Sequence, residues 1–340
     1  METAEHQRNA RIKAWTVQVL PAPLLEWQPA SADASFRRYF RASTAQGSFV
    51  VMDAPPSHED CGPWLRIGQV FRAAGVNTPQ IYAENLAEGF ILMSDLGATT
   101  YLAALNATTD ATTADALYLA ANASLIKLQL ASRPGVLPPY DEALLRRELD
   151  LFPDWYVAKH LGVTLTEAQR TVMEQTFRAI LDNNLAQPQV FVHRDWHSRN
   201  LMVTEADNPG VVDFQDAVYG PITYDLVSLY KDAYIGWDEA QILDWVIRYW
   251  DAARQAGLPV RADFADFYRD FEWMGVQRQI KVLGIFARLC HRDGKDGYLK
   301  DMPKVMADLR RACERYAELH KFLRLLDALD GTAVAAGYTF

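Results

Sequence analysis

The stretch Phe191-Val192-His193-Arg194-Asp195-Trp196-His197-Ser198-Arg199-Asn200-Leu201-Met202-Val203, followed by Val211-Val212-Asp213-Phe214-Gln215-Asp216, decides how the whole 340-residue chain is read. It contains His-Arg-Asp-x-x-x-x-Asn and, after a short gap, an Asp-Phe pair. Residues 190–193, 201–204 and 211–214 are short apolar runs of β type. The polar turn Glu205-Ala206-Asp207-Asn208-Pro209 between the last two predicts a hairpin. Pairing Val203 with Gly210 sets Asn200 opposite Asp213 at its open end. A carboxylate and an amide oxygen are hard ligands that suit Mg²⁺, which keeps waters and phosphate oxygens as its remaining ligands.

Phosphoryl transfer calls for such a set. One carboxylate orients the attacking hydroxyl and takes its proton, while a second carboxylate and an Asn hold the metal that bridges the phosphates. Asp195 is therefore read as the catalytic residue, with Asn200 and Asp213 as the metal ligands. A chance His-Arg-Asp tripeptide would not bring the Asn and the second Asp on fitting elements.

Outward from this core, the N-terminal part is β-rich. Residues 4–20 predict a helix, with Ile12, Trp15, Val19 and Leu20 at helical spacing. Strands are expected at 24–28, 38–42, 48–52, 81–84 and 89–93, with a small-residue turn at 31–35 and a helix over 63–74. Beyond Gly97 the character changes: helices are expected over 101–130, 141–159 and 166–184, and mainly helix from 224 to 329. The expected organisation is α+β: an N-terminal nucleotide-binding lobe at 1–93, a connector at 94–98 and a helical catalytic and substrate lobe at 99–340.

A net charge of −9 argues against a nucleic-acid partner, which needs a basic face. Three scattered cysteines form no CxxC pair and fit a reducing compartment. No apolar run reaches the length of a membrane span, and the first 20 residues carry no signal-peptide run. A cytoplasmic, monomeric protein without membrane or nucleic-acid partners is the expectation.

The joint pattern resembles the aminoglycoside phosphotransferase family, whose kinase-like fold also serves choline and sugar kinases. The resemblance runs from about Leu24 to about Leu289. It implies a two-lobed protein-kinase-like fold that uses ATP and Mg²⁺. Ile91-Leu92-Met93-Ser94-Asp95-Leu96-Gly97 resembles the family's hinge, so Met93, Ser94, Asp95 and Leu96 are implied to bind the nucleotide. Pro221-Ile222-Thr223-Tyr224-Asp225-Leu226 resembles the segment in which the family's Asp braces the catalytic loop, a structural role for Asp225. Ser35-Phe36-Arg37-Arg38-Tyr39-Phe40-Arg41, Val50-Val51-Met52-Asp53-Ala54-Pro55-Pro56 and the His193–Asn200 stretch are similar to the anomeric kinases of N-acetylmuramate and N-acetylglucosamine in bacterial cell-wall recycling. Kinases of an aminoglycoside, choline or homoserine stay open as alternatives, as does an inactive pseudokinase serving as a binding module.

One departure stands out. The family's third strand usually carries a phosphate-binding lysine, and Ser48-Phe49-Val50-Val51-Met52-Asp53 has none. Arg37, Arg38 and Arg41 are the nearest substitutes, and strand alternation keeps them from all facing one way. Arg38 is the favoured one, with Ser35 of the small-residue turn also near the phosphates. For the amino-sugar acceptor, Trp196, His197, Arg199, Asp216, Trp237 and Arg288 are the candidate contacts: aromatic faces for the ring, arginines for a carboxylate. His193 is read as a loop organiser rather than a base.

Overall fold

In the computed structural model, residues 2–32, 36–107 and 111–331 are described. The elements run α1 (Glu2–Val19), β1 (Leu24–Ala32), β2 (Arg38–Thr44), β3 (Gly47–Asp53), α2 (Cys61–Ala73), β4 (Ile81–Asn85), β5 (Phe90–Ser94), α3 (Tyr101–Ala107), α4 (Ala111–Leu130), α5 (Glu142–Leu151), α6 (Glu167–Leu185), β6 (Gln189–Val192), β7 (Leu201–Met202), β8 (Gly210–Val211), β9 (Val218–Pro221), α7 (Tyr224–Tyr230), α8 (Glu239–Gln255), α9 (Phe264–Asp293), α10 (Met302–Arg315) and α11 (His320–Leu329). They divide into two compact units, Met1–Lys127 with Arg199–Asp216, and Leu128–Ser198 with Ala217–Phe340. The first unit runs past the expected connector at 94–98 to Lys127 and also takes in residues 199–216.

The first unit is built on an antiparallel sheet in the order β1-β2-β3-β5-β4. Its core gathers Ala42, Val51, Phe90 and Leu92 from the strands and Ile12 from α1, with Trp15, Val19 and Leu20 against them. The i, i+3, i+7 spacing in α1 is what lets one helix face cover the sheet. β1 runs four residues beyond the predicted 24–28. Pro29 sits in it at a register irregularity (Pro29/Ser31), which an edge strand tolerates because an outward-facing N–H is not needed there. α2 starts at Asp60, whose carboxylate accepts the Gly62 N–H at 2.8 Å, and buries Trp64, Ile67 and Phe71.

The second unit is organised around α9, 30 residues capped by Asp263 and ended by Gly294 at φ 67°. Its middle, from Asp270 to Gly284, is buried on every side, so Glu272, Gln277, Arg278 and Lys281 lie inside the protein. At Gly284 a Cβ would fall 2.5 Å from the Leu151 carbonyl carbon, which fixes how closely α5 approaches. The predicted helix over 141–159 changes type there: Phe152–His160 is π-helical, and Leu161 N–H reaches back to Tyr156 O. Pro153 has no N–H to continue the α ladder. β9 was not expected from the sequence; it pairs antiparallel with β6, Val190 opposite Gly220.

Candidate active site

In the second unit, β6 delivers the chain to His193. Val190, Phe191 and Val192 are buried, so the strand is an anchored base for the loop that follows. Asp225, in the first turn of α7 and fully buried, accepts the backbone N–H of His193 at 2.6 Å and of Arg194 at 2.9 Å. Burial, and then the nearby Asp195 charge, push its carboxyl up to about 7 against those two donors. His193 is itself buried, its Nδ1 accepting the Asp195 N–H at 3.2 Å. Arg194 has φ 78°, a left-handed conformation costing about 1–2 kcal/mol for a residue with a Cβ. Its guanidinium repays this by pairing with Glu148 at 2.5 Å above the Tyr140 ring. Burial opposes the Glu148 charge, but Lys281 (2.9 Å) and Arg194 hold that carboxyl below the usual range.

Asp195 is thus held by its own backbone, with its carboxylate 43% exposed. Desolvation works against the charge, but Lys281, His197, Arg278 and Arg194 outweigh it and hold the group far below the ordinary carboxylate range. Arg278 Nη2 lies 3.6 Å and His197 Nε2 3.9 Å from its Oδ1. Such a group stays ionised at any working pH: a strong orienting acceptor for a hydroxyl and a weak base.

A second brace was missed by the sequence reading. Asp232, buried, accepts the Ser198 N–H at 3.0 Å and the Ser198 hydroxyl at 2.5 Å through one oxygen. Its other oxygen takes the Tyr234 N–H at 2.9 Å. Lys304 of α10 ties down the Asp232 carbonyl at 2.6 Å. The available signal was periodicity. Asp232 follows Asp225 by seven residues, two helical turns, after a helix whose residues are all buried.

The acceptor candidates separate. Trp196, expected as a sugar contact, is fully buried and edge-on to His193, where it packs the loop. His197 lies edge-on to Tyr234, and Tyr234 continues to Phe286. Trp237 stands edge-on to Trp245 of α8. Arg288 is half-buried on α9, its pKa lowered by burial and by Arg292.

In the first unit, β7 and β8 pair Leu201 with Val211 and Met202 with Gly210. This is one residue off the expected register: Asn200 O accepts the N–H of Val212, not of Asp213. A one-residue slip would send Asp213 to the opposite face in a regular strand. Asp213 instead has φ 63°, and this left-handed turn brings its Oδ2 back to 3.5 Å from Asn200 Nδ2. Gln215 Nε2 donates to Asp213 Oδ1 at 2.9 Å, and Arg37 Nη2 lies 3.6 Å from the same oxygen. Phe214 anchors the turn: fully buried, it packs on Trp64 and Phe71 of α2, where a Cβ on Gly68 would come within 3.1 Å of its ring. Asp216 beyond it is exposed, and Arg199 at the other end of the segment is half-buried.

The hinge candidates are held by the sheet. Met93 is buried between β3 and β4; Ser94 exchanges hydrogen bonds of 2.8 Å with Gln80. Asp95 accepts from Arg41 (2.6 Å), Ser48 (2.6 Å) and the Gly97 N–H (2.9 Å), while Leu96 packs over Gly210. Where the family's lysine was expected, Met52 and Asp53 are both buried. Arg38, the favoured phosphate ligand, is engaged elsewhere: it pairs with Asp53, which Arg8 also binds, and with Glu5 at 3.0 Å. Ser35 lies outside the described residues.

Residues 26–264 match the phosphotransferase enzyme family. The N-acetylmuramate/N-acetylglucosamine kinase of Neisseria meningitidis serogroup B is 51% identical over 336 residues, covering 98% of this chain and 100% of that one. Among solved structures, a choline/ethanolamine kinase family protein from Mesorhizobium loti superposes with a TM-score of 0.63 at 15% identity, covering 94% of this chain and 99% of that one. The ADP-bound aminoglycoside phosphotransferase APH(2'')-Ib gives 0.57 at 14% identity over 88% and 97%. At such low identity these two likenesses establish the fold alone, the α+β protein-kinase-like fold. With a match over most of its length and a half-identical relative along nearly all of it, this chain belongs to the phosphotransferase enzyme family.

Proposed function

We propose that this protein is an ATP-dependent sugar kinase. It phosphorylates the anomeric C1 hydroxyl of N-acetylmuramic acid and N-acetylglucosamine, giving sugar 1-phosphates for peptidoglycan recycling. The observation that carries this reading is the end-to-end half-identity to a kinase of that name, and the Asp195 carboxylate on a doubly braced loop supports it.

Asp195 orients the C1 hydroxyl and accepts its proton as the oxygen bonds to the γ-phosphorus and the bond to ADP breaks. An anomeric hydroxyl is more acidic than an ordinary alcohol, so a carboxylate held far below its usual range still suffices. Asp213 and Asn200 would hold magnesium: the Asp213 carboxylate is 41% exposed, and Asn200, whose Nδ2 donates to it at 3.5 Å, would turn its amide oxygen to the ion. When bound, the ion neutralises charge on the transferring phosphates. Among the described residues no cluster of three or more His, Cys, Asp or Glu ligands exists, and this donor set does not require one. Retention of Asp195, Asn200 and Asp213 together speaks against a pseudokinase module. No described helix is long and apolar enough to cross a membrane. The three cysteines are free, which supports a reducing compartment, and we place a monomer in the cytoplasm.

The test is an ATP-coupled assay across N-acetylmuramate, N-acetylglucosamine, choline, homoserine and an aminoglycoside. ADP release with the two amino sugars alone is expected; release with another acceptor, or with none, overturns the assignment.

A further inference from the structure

We infer that Arg37 takes over the missing lysine's role and binds the β- and γ-phosphates of the nucleotide. The inference rests on the kinase reading above and goes beyond it by assigning the phosphate ligand.

Three arginines bracket β2, and each meets a different aspartate. Arg38 is committed to Asp53, whose side chain is 0% exposed and which also takes Arg8. Arg41 is committed to Asp95, and that pair also fixes the Gly97 carbonyl and amide. Both pairs are short, part-buried and structural. Arg37 alone is directed at the aspartate with metal-binding chemistry, Asp213, at 3.6 Å. That distance is a Coulombic pairing, longer than a hydrogen bond. The Arg37 side chain is only 11% exposed, while the Asp213 carboxylate remains 41% exposed. A nearly desolvated guanidinium is therefore stationed beside a carboxylate that still faces solvent.

This is the placement a phosphate ligand requires. A divalent cation held by Asp213 and Asn200 would draw phosphate oxygens toward that carboxylate. Arg37 then exchanges a long contact with Asp213 for charge-assisted hydrogen bonds to phosphate, where its planar fork suits two oxygens at once. Before nucleotide arrives, the same guanidinium offsets the charge of Asp213.

The experiment measures binding rather than turnover. Dissociation constants of ATP and of adenosine are measured by calorimetry, with Mg²⁺, for the native chain, Arg37→Met and Arg37→Lys. The expected result is a loss of ATP affinity of roughly ten- to a hundredfold in Arg37→Met, the range for a charged hydrogen bond. Adenosine affinity should be unchanged, and Arg37→Lys should recover part of the loss. Unchanged ATP affinity in Arg37→Met, or equal losses for ATP and adenosine, overturns the assignment while leaving a native enzyme that binds ATP and phosphorylates sugar intact. A native chain that binds no ATP overturns both this inference and the kinase reading. Should Arg37→Met fail to fold, Arg37→Lys decides alone, since losing the fork must still weaken ATP and spare adenosine.

Discussion

Asp232→Asn tests whether the catalytic loop needs its second brace. The carboxylate serves three donors: Ser198 N–H and O–H on one oxygen, Tyr234 N–H on the other. An amide has a single acceptor oxygen. Turned toward Ser198, it sets its NH₂ against the Tyr234 N–H and leaves that part-buried donor unsatisfied, at about 1–3 kcal/mol. The two Ser198 bonds lose their charge assistance, about 1 kcal/mol each. The sum is about 3–5 kcal/mol, divided between the native fold and the geometry three residues beyond Asp195. Borne by the fold, it lowers Tm by roughly 5–10 °C. Borne by the loop, it lowers kcat by a factor on the order of 10²–10⁴. Calorimetric melting and steady-state kinetics on the same preparation separate the shares, and ATP affinity should hold. A variant with both Tm and kcat within error of the native protein would refute the reasoning.

Replacing Asp195 by Asn should cut turnover by about 10²–10⁴, the usual worth of a positioned base, with Mg²⁺–ATP binding preserved in calorimetry. Asp213→Ala should abolish the Mg²⁺ dependence of ATP binding while leaving adenosine binding alone; unchanged Mg²⁺ dependence removes Asp213 from the metal site. Asp225, raised from 3.8 to about 7, should set an acid limb: protonation turns one acceptor oxygen into a donor and releases the His193 or Arg194 N–H, so kcat falls as pH drops through about 7. The linked stability effect has the opposite sense. Between about pH 4 and 7 the native chain holds a proton that the unfolded chain has released, so the native protein should lose stability relative to Asp225→Asn as pH rises across that window.

What the sequence disclosed was what is local. His193 to Asn200 and Asp213-Phe214 announce their chemistry by residue type and spacing, and the strands of the first sheet announce themselves by turns and alternation. The hairpin register escaped because the left-handed turn at Asp213 breaks the alternation on which the pairing argument relied. Arg38 was favoured over Arg37 because alternation separates two faces without saying which aspartate waits on each. Trp196 looked like a sugar platform; only tertiary packing shows it sealed behind His193. The polar interior of α9 was illegible for the same reason: only the packing brings Arg278 beside Asp195 and Lys281 beside Glu148. Asp232 was readable in principle, from its two-turn spacing to Asp225.

The central claim is phosphoryl transfer to the anomeric oxygen, and phosphorus NMR of the product tests it most directly. With N-acetylglucosamine or N-acetylmuramate and ATP, the product phosphorus should couple to the anomeric proton, and the ester should hydrolyse in mild acid. A phosphorus coupled instead to the C6 methylene protons, in an acid-stable ester, would contradict the account.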